Sequence, residues 1–570
     1  MIFGRGGIGG VVNRVTKTAV WQTISEIKLL WGSHGERRAS LDITRPANDS
    51  LALRLNAVSE DSHSYRHGVH LNRRGVNPTV ALRLGPDTLI QAGYEHFEDD
   101  RIADRGIPSR FQTGLSPIVG PLPVNAGQFF GDSSNSPTWT DTDALDITIV
   151  HKISPDLSIR SHLRFAAYDK AYQNIYANAV MDPAETLVSL AAYRSATGRE
   201  NLISQTDLTA ELKTGAFTHT LLGGLELGRQ VTSNRRFEGR FAGGASSLVV
   251  PVVASDGRHS VSWIQTASST DNQGVARVSA AYVQDQIELS PHLKLIAGLR
   301  FERFITEVDD RRVVGVLPGQ PHRFKVTDDL LSPRIGLILK PMAAMSLYGA
   351  YSKTYQPRGG DQLTSLSLTN QSLAPEEFRN LEIGLKWDLN PGFTISAAVF
   401  RLDRSHVLAL SDPRDASSAM LPIGRQRTEG LELAATGSLT DRLSVAGAYT
   451  LTDARFLDSF SGTVSAGNRP ANLPKQSASL WARFQVSEPL AAALGWSHQG
   501  LRFAAPDNRV ALPAYDRLDA ALYYRLSTDL TVQLNLENLT QVKYAVFANS
   551  NNNITPGAPL AARITLIGKF

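Results

Sequence analysis

The chain has 570 residues, a net charge of +4 and no cysteine. The absence of cysteine excludes disulfide frameworks and thiol chemistry, and a modest charge without a basic run gives no reason to expect nucleic acid as a partner. No apolar run reaches the roughly 18 residues that a membrane-spanning helix needs. The mean hydropathy of −0.16 is nevertheless compatible with a β-barrel, because only every second residue of a barrel strand meets lipid.

The first element is Gly-rich. The chain begins MIFGRGGIGGVVNRVTK, and we predict a short β-branched strand over residues 11–16. No charged region followed by an apolar region precedes it, so the sequence as written predicts no signal peptide.

Ten short polar turns recur after this start. Their Pro, Gly, Asn, Asp and Ser residues supply fixed or left-handed φ angles and self-capping side chains. In the middle of the chain the repeat is about fifty residues, which suits two strands, one tight turn and one long loop. The turns begin at Arg45, Gly85, Ser154, Lys213, Ser290, Lys340, Asn390, Thr440, Ser487 and Ser527.

Between the turns, apolar and polar residues alternate with a period of two, which is typical of strands with two different faces. In LEIGLKWDL from Leu381, the odd-numbered residues are apolar and the even-numbered residues are polar or small. RLDAALYYRL from Arg517 and TVQLNLEN from Thr531 repeat the pattern. The polar face carries many charged residues, which favours a barrel with a polar interior over a soluble sandwich.

Long polar stretches separate the hairpins, at residues 96–141, 171–200, 230–272 and 355–377. Long loops on one rim and short turns on the other are the rule for outer-membrane barrels. If both termini lie on the short-turn side, ten turns imply eleven hairpins. The sequence therefore predicts an all-β fold, a large antiparallel transmembrane β-barrel of about 22 strands, which is a size at which the lumen is plugged.

The Gly-rich start resembles the closing motif of the plug domain in TonB-dependent receptors, and it stands directly before the first predicted barrel strand. The resemblance implies that residues 1–19 are the C-terminal remnant of an N-terminal plug domain. Residues 20–570 would then form the barrel, with long extracellular loops and short periplasmic turns. The residues that carry the match are Gly4, Arg5, Gly6, Gly7, Gly9, Gly10, Asn13, Thr16 and Lys17.

Further segments resemble this family in the family's own order. RGIPS from Arg105 and FFGD from Phe129 are similar to the siderophore-receptor branch. At Leu560 the last segment departs from the Arg that is common in the family. The other matching segments are YVQDQIEL from Tyr282, SPRIG from Ser332, YSKTYQP from Tyr351, LAPEEFRNLEIGLK from Leu373, NLPK from Asn472, NLTQVKY from Asn538 and the terminal GAPLAARITLIGKF from Gly557.

The resemblance implies a receptor in the bacterial outer membrane that transports ferric siderophores and is energised by the inner-membrane TonB complex. It implies no enzyme activity, no cofactor and no resident metal, because the iron–siderophore complex is the cargo. The carboxy-terminal Phe570 resembles the signal that barrel-assembly machinery recognises. The apolar outer faces of the strands would contact outer-membrane lipid. Two alternatives stay open: a passive porin-like barrel, and TonB-dependent uptake of haem, cobalamin or an oligosaccharide.

Candidate ligand contacts are the aromatic and arginine side chains of the predicted extracellular side. Arg offers a fixed charge and planar donors, and Tyr and Trp offer rigid contact area with a polar tip. The alternative for each aromatic residue is a place in the interfacial girdle that barrels need. The candidates are Phe129, Phe130, Trp139, Tyr172, Tyr176, Tyr355 and Arg358.

Two further groups are assigned no ligand role. Arg160, His162 and Arg164 lie on one face of a predicted strand, which we expect to be the lumen, where polar residues are the default. His63, His67 and His70 are close in sequence, but we interpret them as solvated loop residues and not as a metal site.

The start of the chain conflicts with the family pattern. Family members carry a signal peptide, an energy-coupling box and more than a hundred plug residues before the Gly-rich motif. We therefore expect the sequence as written to be a truncated form, whether through a miscalled start, a gene remnant or a partial chain.

Overall fold

The structure is a computed structural model that describes residues 15–113, 118–267, 269–314, 319, 321–358, 373–410, 420–460 and 462–570. At residues 408–410 and 420–423 it describes the backbone alone. In these ranges, no helix has the length and apolar character that crossing a membrane requires.

In the part of the chain that the structure describes, twenty-two antiparallel strands form a closed wall. Neighbouring wall strands pair in chain order, and the first pairs with the last, so that Glu26 lies opposite Lys569. The wall strands are β1 (Ile24–Gly32), β2 (Arg37–Pro46), β3 (Leu51–His63), β4 (His70–Leu84), β5 (Thr88–Ile102), β6 (Pro137–Ser154), β7 (Leu157–Val180), β8 (Leu187–Thr214), β9 (Phe217–Arg240), β12 (Asp271–Ser290), β13 (Leu293–Asp310), β14 (Arg323–Met342), β15 (Met345–Gln356), β16 (Glu376–Asn390), β17 (Phe393–Leu410), β18 (Met420–Ser438), β19 (Leu443–Phe456), β20 (Gln476–Gln485), β21 (Leu490–Gln499), β24 (Tyr515–Arg525), β25 (Leu530–Glu537) and β28 (Ala561–Lys569).

Short elements occupy the long-loop side. Two of them extend the wall: β10 pairs with β8, and β11 pairs with β9. Two further pairs are separate hairpins, β22 with β23 and β26 with β27. These elements are β10 (Leu248–Pro251), β11 (Ser262–Ile264), β22 (Arg502–Phe503), β23 (Ala511–Leu512), β26 (Ala545–Ser550), β27 (Asn553–Pro556) and the single-turn 3₁₀ helices Ser33–Gly35, Ala242–Gly244 and Val252–Ala254.

The ten short turns of the sequence all join neighbouring wall strands at one rim. The tightest leave two residues between strands, as between Thr214 and Phe217. The wall begins and ends at that same rim, because the start of β1 lies beside the end of β28. The predicted fold class and the strand count of about 22 are therefore confirmed.

The two faces of the wall differ in the way the alternation predicts. Leu331, Ile335 and Leu337 of β14 point outward and are about half exposed. Arg300 and Thr306 of β13 point inward and are buried, because inward side chains converge on the concave side of the wall. An apolar outer belt around a polar interior is the arrangement of a barrel that spans a membrane.

One predicted loop is wrong. Residues 171–200 are mostly strand, since β7 and β8 stay paired as far as Val180 opposite Val188. At their upper ends both faces are buried, since the adjacent Asn174 and Ile175 are 3% and 1% exposed. The period-two pattern fades there although the backbone ladder continues. The predicted loop 230–272 likewise contains the end of β9 together with β10 and β11.

The amino-terminal segment enters along the inner side of the wall. The Lys17 ammonium donates to Asp42 Oδ2 at 2.6 Å, and Arg54 Nη1 donates to the Thr18 carbonyl at 2.8 Å. Residues 15–20 form no strand. The predicted strand over 11–16 otherwise lies outside the described residues, as does the Gly-rich motif from Gly4 to Asn13.

Candidate ligand-binding site at the barrel mouth

Part of the loop between β5 and β6 folds into the mouth of the barrel. Its Ile107 forms a backbone bridge with Ile554 of β27, and Val119 forms one with Val510 beside β23. A single apolar cluster holds these segments to the upper ends of β7 and β8. Its buried members include Ile107, Leu122, Phe130, Ile175, Ala177, Val188, Leu190, Phe241, Val252, Val510, Leu512, Ala548 and Ile554. We call this assembly the mouth cap.

A cavity of about 720 Å³ lies beside the mouth cap. We call it the mouth basin. Its lining combines cations, imidazoles, phenols and an amide, which suits a polar ligand with planar groups. The side chains that give it this character are His34, His63, Tyr65, His70, Arg101, Arg105, Tyr172, Asn174 and Arg563.

Two of the three basin arginines are already paired. Arg563 Nε lies 2.7 Å from Glu36 Oε2, and Arg101 Nε lies 2.6 Å from Asp99 Oδ1. Arg105 differs, because among the described side chains it makes no ion pair and no hydrogen bond. Its guanidinium lies instead 5.3 Å from the centre of the Tyr193 ring.

Tyr193 forms the centre of an aromatic group at the basin wall. The edges of Tyr172 and Tyr176 approach it, with ring centroids 5.8 and 5.6 Å away. Arg236 lies 4.0 Å from its ring centre. Edge-to-face rings and cations over a ring face are both favourable arrangements, so these side chains are held in place before any ligand arrives.

Tyr65 ties the β3–β4 loop to the mouth cap. Its hydroxyl donates to the carbonyl of Pro556 at 2.5 Å. Burial raises the pKa of Tyr65 to about 12, so the phenol keeps its proton at neutral pH. On the neighbouring strand ends, the imidazoles of His63 and His70 meet edge to face at 6.4 Å.

The structure separates the seven predicted ligand contacts. Tyr172 lines the basin, and Tyr176 lies behind it against Tyr193. Phe129 and Phe130 are each 2% exposed, and Phe130 belongs to the apolar cluster of the mouth cap. Both phenylalanines therefore pack the cap in this conformation. A direct ligand contact by any of these residues stays a prediction.

The remaining three candidates lie away from the basin. Trp139 is on the outward face of β6, 42% exposed, where the girdle alternative fits its position. Tyr355 is on the outward side of β15 with Lys353 Nζ 5.0 Å from its ring. Arg358 donates to the buried Asp328 at 2.6 Å, so its charge is balanced within the protein.

The strand residues assigned to the lumen do face it. His162 and Arg164 both contact Asp146, at 3.2 and 2.5 Å, from the inward side of β7. Arg160 has the same orientation in the register.

One group of side chains has donor atoms at metal-compatible spacing. His96, Asp141 and Asp143 have such atoms within 4.8 Å of one another. The register places all three on the outward face of β5 and β6. They therefore have no part in the basin.

Sequence reasoning missed most of the basin lining. Arg105 stood in the quoted RGIPS motif but was not proposed as a ligand contact, and the histidine group was set aside as solvated. His63, His67 and His70 are exposed, as that interpretation expects, and His63 and His70 in addition meet edge to face in the basin lining. The position of RGIPS could have indicated Arg105, because this motif begins three residues after the last residue of β5, at the long-loop rim.

These features define a class of protein: a transmembrane barrel whose long-loop rim holds a cavity lined by polar and aromatic side chains. The family model described as TonB dependent receptor-like, beta-barrel matches residues 75–539. The chain belongs to the TonB-dependent receptor family and resides in the bacterial outer membrane. The family consists of receptors and transporters, so the prediction of no enzyme activity is confirmed.

Known proteins agree with this assignment. The chain is 24% identical over 602 residues to the probable TonB-dependent siderophore receptor PiuA of Acinetobacter baumannii, covering 100% of this chain and 79% of PiuA. It is 27% identical over 588 residues to the metal-pseudopaline receptor CntO of Pseudomonas aeruginosa, covering 98% and 77%. It is 25% identical over 610 residues to the catecholate siderophore receptor Fiu of Escherichia coli, covering 99% and 78%.

Solved structures share the fold. The crystal structure of PiuA superposes with a TM-score of 0.91 at 22% identity, over 99% of this chain and 84% of that chain. The closed form of Fiu superposes with a TM-score of 0.83 at 23% identity, over 100% and 85%.

Proposed function

We propose that this protein binds ferric siderophores at the mouth basin and transports them across the outer membrane. The observation that carries the proposal is the basin itself, where an arginine to which the described residues offer no carboxylate lies among tyrosines, histidines and an asparagine. The relatives support it, because PiuA and Fiu are named as siderophore receptors and CntO as a receptor for a metal complex.

The remaining partners follow from this role. The TonB complex of the inner membrane supplies the energy, and outer-membrane lipid surrounds the apolar belt. Barrel-assembly machinery recognises the terminal Phe570, which is 65% exposed at the end of the last strand. The protein needs no cofactor, because the ferric ion enters as part of the cargo.

The test compares iron uptake by cells that have or lack the gene. Cells grown under iron limitation receive siderophores loaded with radioactive iron, one at a time, and the same series is run in cells without TonB. We expect deletion of the gene and loss of TonB each to abolish uptake of the same siderophore. Uptake unchanged by deletion across a broad panel would contradict the proposal, and a TonB-independent flux would favour a passive barrel.

The same cells test the alternative cargoes. Growth on haem as the iron source, and uptake of cobalamin and of labelled oligosaccharides, are measured with and without the gene. We expect no dependence on the gene in any of the three measurements.

A further inference from the structure

Arg105 is the basin arginine that forms no ion pair with any described residue. The guanidinium groups of Arg563 and Arg101 lie against Glu36 and Asp99. Asp104, the neighbour of Arg105 in sequence, is occupied by Arg66, which contacts both of its oxygens at 2.6 and 3.1 Å. Glu60, the remaining carboxylate of the lining, accepts from Arg38 at 2.8 Å. Among the described residues, every carboxylate of the basin lining is therefore paired with an arginine other than Arg105.

The backbone around Arg105 is fixed on both sides. Asp104 Oδ1 accepts a hydrogen bond from the Gly106 amide at 2.8 Å. Gly106 has a φ of +79°, and a Cβ at this position would lie 2.0 Å from the Ile554 carbonyl oxygen. Ile107 and Ile554 then exchange two backbone hydrogen bonds of 2.7 and 2.9 Å. The loop thus presents Arg105 at a defined place in the basin wall.

A second arginine near Arg105, Arg236, does have a carboxylate partner. Arg236 and Arg105 both lie over the Tyr193 ring, at 4.0 and 5.3 Å. Arg236 is balanced by Glu238, with Nε 2.9 Å from Oε1. Tyr193 is 3% exposed, and its hydroxyl has no hydrogen-bond partner in the described protein. Among the described residues, this part of the wall therefore has two groups that can still donate hydrogen bonds, the Tyr193 hydroxyl and the Arg105 guanidinium, and the latter carries a positive charge without a carboxylate partner.

Burial works against that charge. Desolvation lowers the pKa of Arg105, and the nearby positive charge of Arg236 acts in the same direction. An arginine keeps its proton in proteins nevertheless. Arg105 is half-buried, and removing part of the water around a cation is costly when no counter-charge replaces it. An anion that enters the basin therefore gains a strong and already oriented interaction.

We propose that Arg105, which shares the basin lining with Tyr172 and Asn174, forms an anion-binding subsite for a negatively charged group of the cargo. The inference rests on the proposed function and narrows its substrate class to anionic ferric chelates, such as those with catecholate or free carboxylate groups. Tyr193 is a positioning residue, since its ring supports the guanidinium from behind. A neutral chelate gains nothing from this subsite.

The test measures equilibrium binding to the purified 570-residue chain in detergent. Two probes carry radioactive iron: a ferric tris-catecholate, which is a trianion, and a ferric trihydroxamate without net charge. We expect the wild-type chain to bind the tris-catecholate more tightly. Arg105→Gln should weaken that binding by about ten- to hundred-fold, as expected when a hydrogen bond to a charged group is lost, and leave trihydroxamate binding unchanged.

A matched control lies on the same loop. Arg110 is exposed and pairs with Glu185 at 2.9 Å outside the basin. Arg110→Gln should change the affinity for neither probe. Arg105→Lys should keep the decrease of affinity with rising salt that a charge contact produces, whereas Arg105→Gln should lose it. A merely structural role of Arg105 would not move this salt dependence.

The outcomes separate the two proposals. Binding of neither chelate to the wild-type chain would overturn the proposed function and the subsite together. Binding of the trihydroxamate alone, or equal loss of both probes in Arg105→Gln, would leave siderophore binding in place and overturn the anionic subsite. Unchanged tris-catecholate binding in Arg105→Gln would overturn it as well.

Discussion

Two arginines on the inner side of this barrel, the buried Arg300 in the wall and the half-buried Arg105 at the mouth, have different partners. In the wall, Arg300 is 1% exposed and lies 2.7 Å from Glu226 and 2.9 Å from Glu302. At the mouth, Arg105 lies over the Tyr193 ring, and the described residues offer it no carboxylate. Removing an unpaired charge from water is costly. The paired Arg300 therefore stabilises the wall, whereas the guanidinium of Arg105 is available to a ligand.

The first prediction tests whether the ion pairs of Arg300 stabilise the wall. Arg300→Met should lower the free energy of unfolding by about 3–5 kcal/mol, because it leaves the buried Glu302 and the half-buried Glu226 without their partner. The measurement is a urea titration of the folded barrel in lipid vesicles. The control is Arg303→Gln on the same strand, whose exposed pair with Asp329 should contribute nothing measurable. Equal stability of the two variants would show that the buried pairs do not hold the wall.

The second prediction tests the two faces of the wall at one height. Leu433 of β18 points outward beside Ala397 and Tyr449, whereas Ala434 points inward beside Ser396 and Ala448. An outward arginine meets lipid, so Leu433→Arg should cost about 2–4 kcal/mol near the middle of the membrane. Ala434→Arg should cost much less, because its charge enters a polar lumen. The same urea titration compares them, and a larger loss for the inward variant would reverse the assignment of faces.

The third prediction moves to the mouth. Gly106 and Gly85 both have left-handed φ angles, of +79° and +68°, but only Gly106 would push a Cβ against the Ile554 carbonyl. Strain of this kind costs about 1–3 kcal/mol. Gly106→Ala should therefore loosen the mouth cap and weaken ligand binding, while Gly85→Ala at the short-turn rim should leave binding unchanged. Hydrogen exchange of residues 545–556 is the measurement, and equal protection in both variants would refute the prediction.

The wall could be predicted from the sequence because its signals are local. A tight turn such as the one after Thr214 depends on its own Gly and on two flanking strands. The alternation in LEIGLKWDL needs no knowledge of the rest of the chain. Counting turns then gave the strand number, since a closed antiparallel barrel admits little choice of connection.

The mouth could not be predicted in the same way. An aromatic pair in a loop has the same sequence whether it packs or binds a ligand. Phe130 is buried in a cluster whose other members, such as Val252 and Ile554, come from distant parts of the chain. The role of Arg105 depends on the fact that Glu36, Asp99 and Asp104 are already paired with other arginines. Such matching between distant segments leaves no periodic trace in the sequence.

The smallest predicted effect concerns the tie between Tyr65 and the Pro556 carbonyl. Tyr65→Phe removes one hydrogen bond and should lower the local stability of the mouth cap by about 1 kcal/mol. We expect faster hydrogen exchange of β26 and β27 and no unfolding of the wall. Burial raises the pKa of Tyr65 from 10.0 to about 12. Its protonated form is therefore favoured by folding, so the contribution is complete below pH 10 and is lost as the pH rises through 12.

The pH dependence separates this tie from a general alkaline effect. In the wild-type chain, protection of β26 and β27 should fall between these two pH values, and Tyr65→Phe should remove that step because no proton is left to lose. The wall strands should stay protected in both proteins over the same interval. An identical alkaline step in wild type and variant would assign the transition to another group, and a simultaneous loss of wall protection would mean that mouth and wall do not open separately.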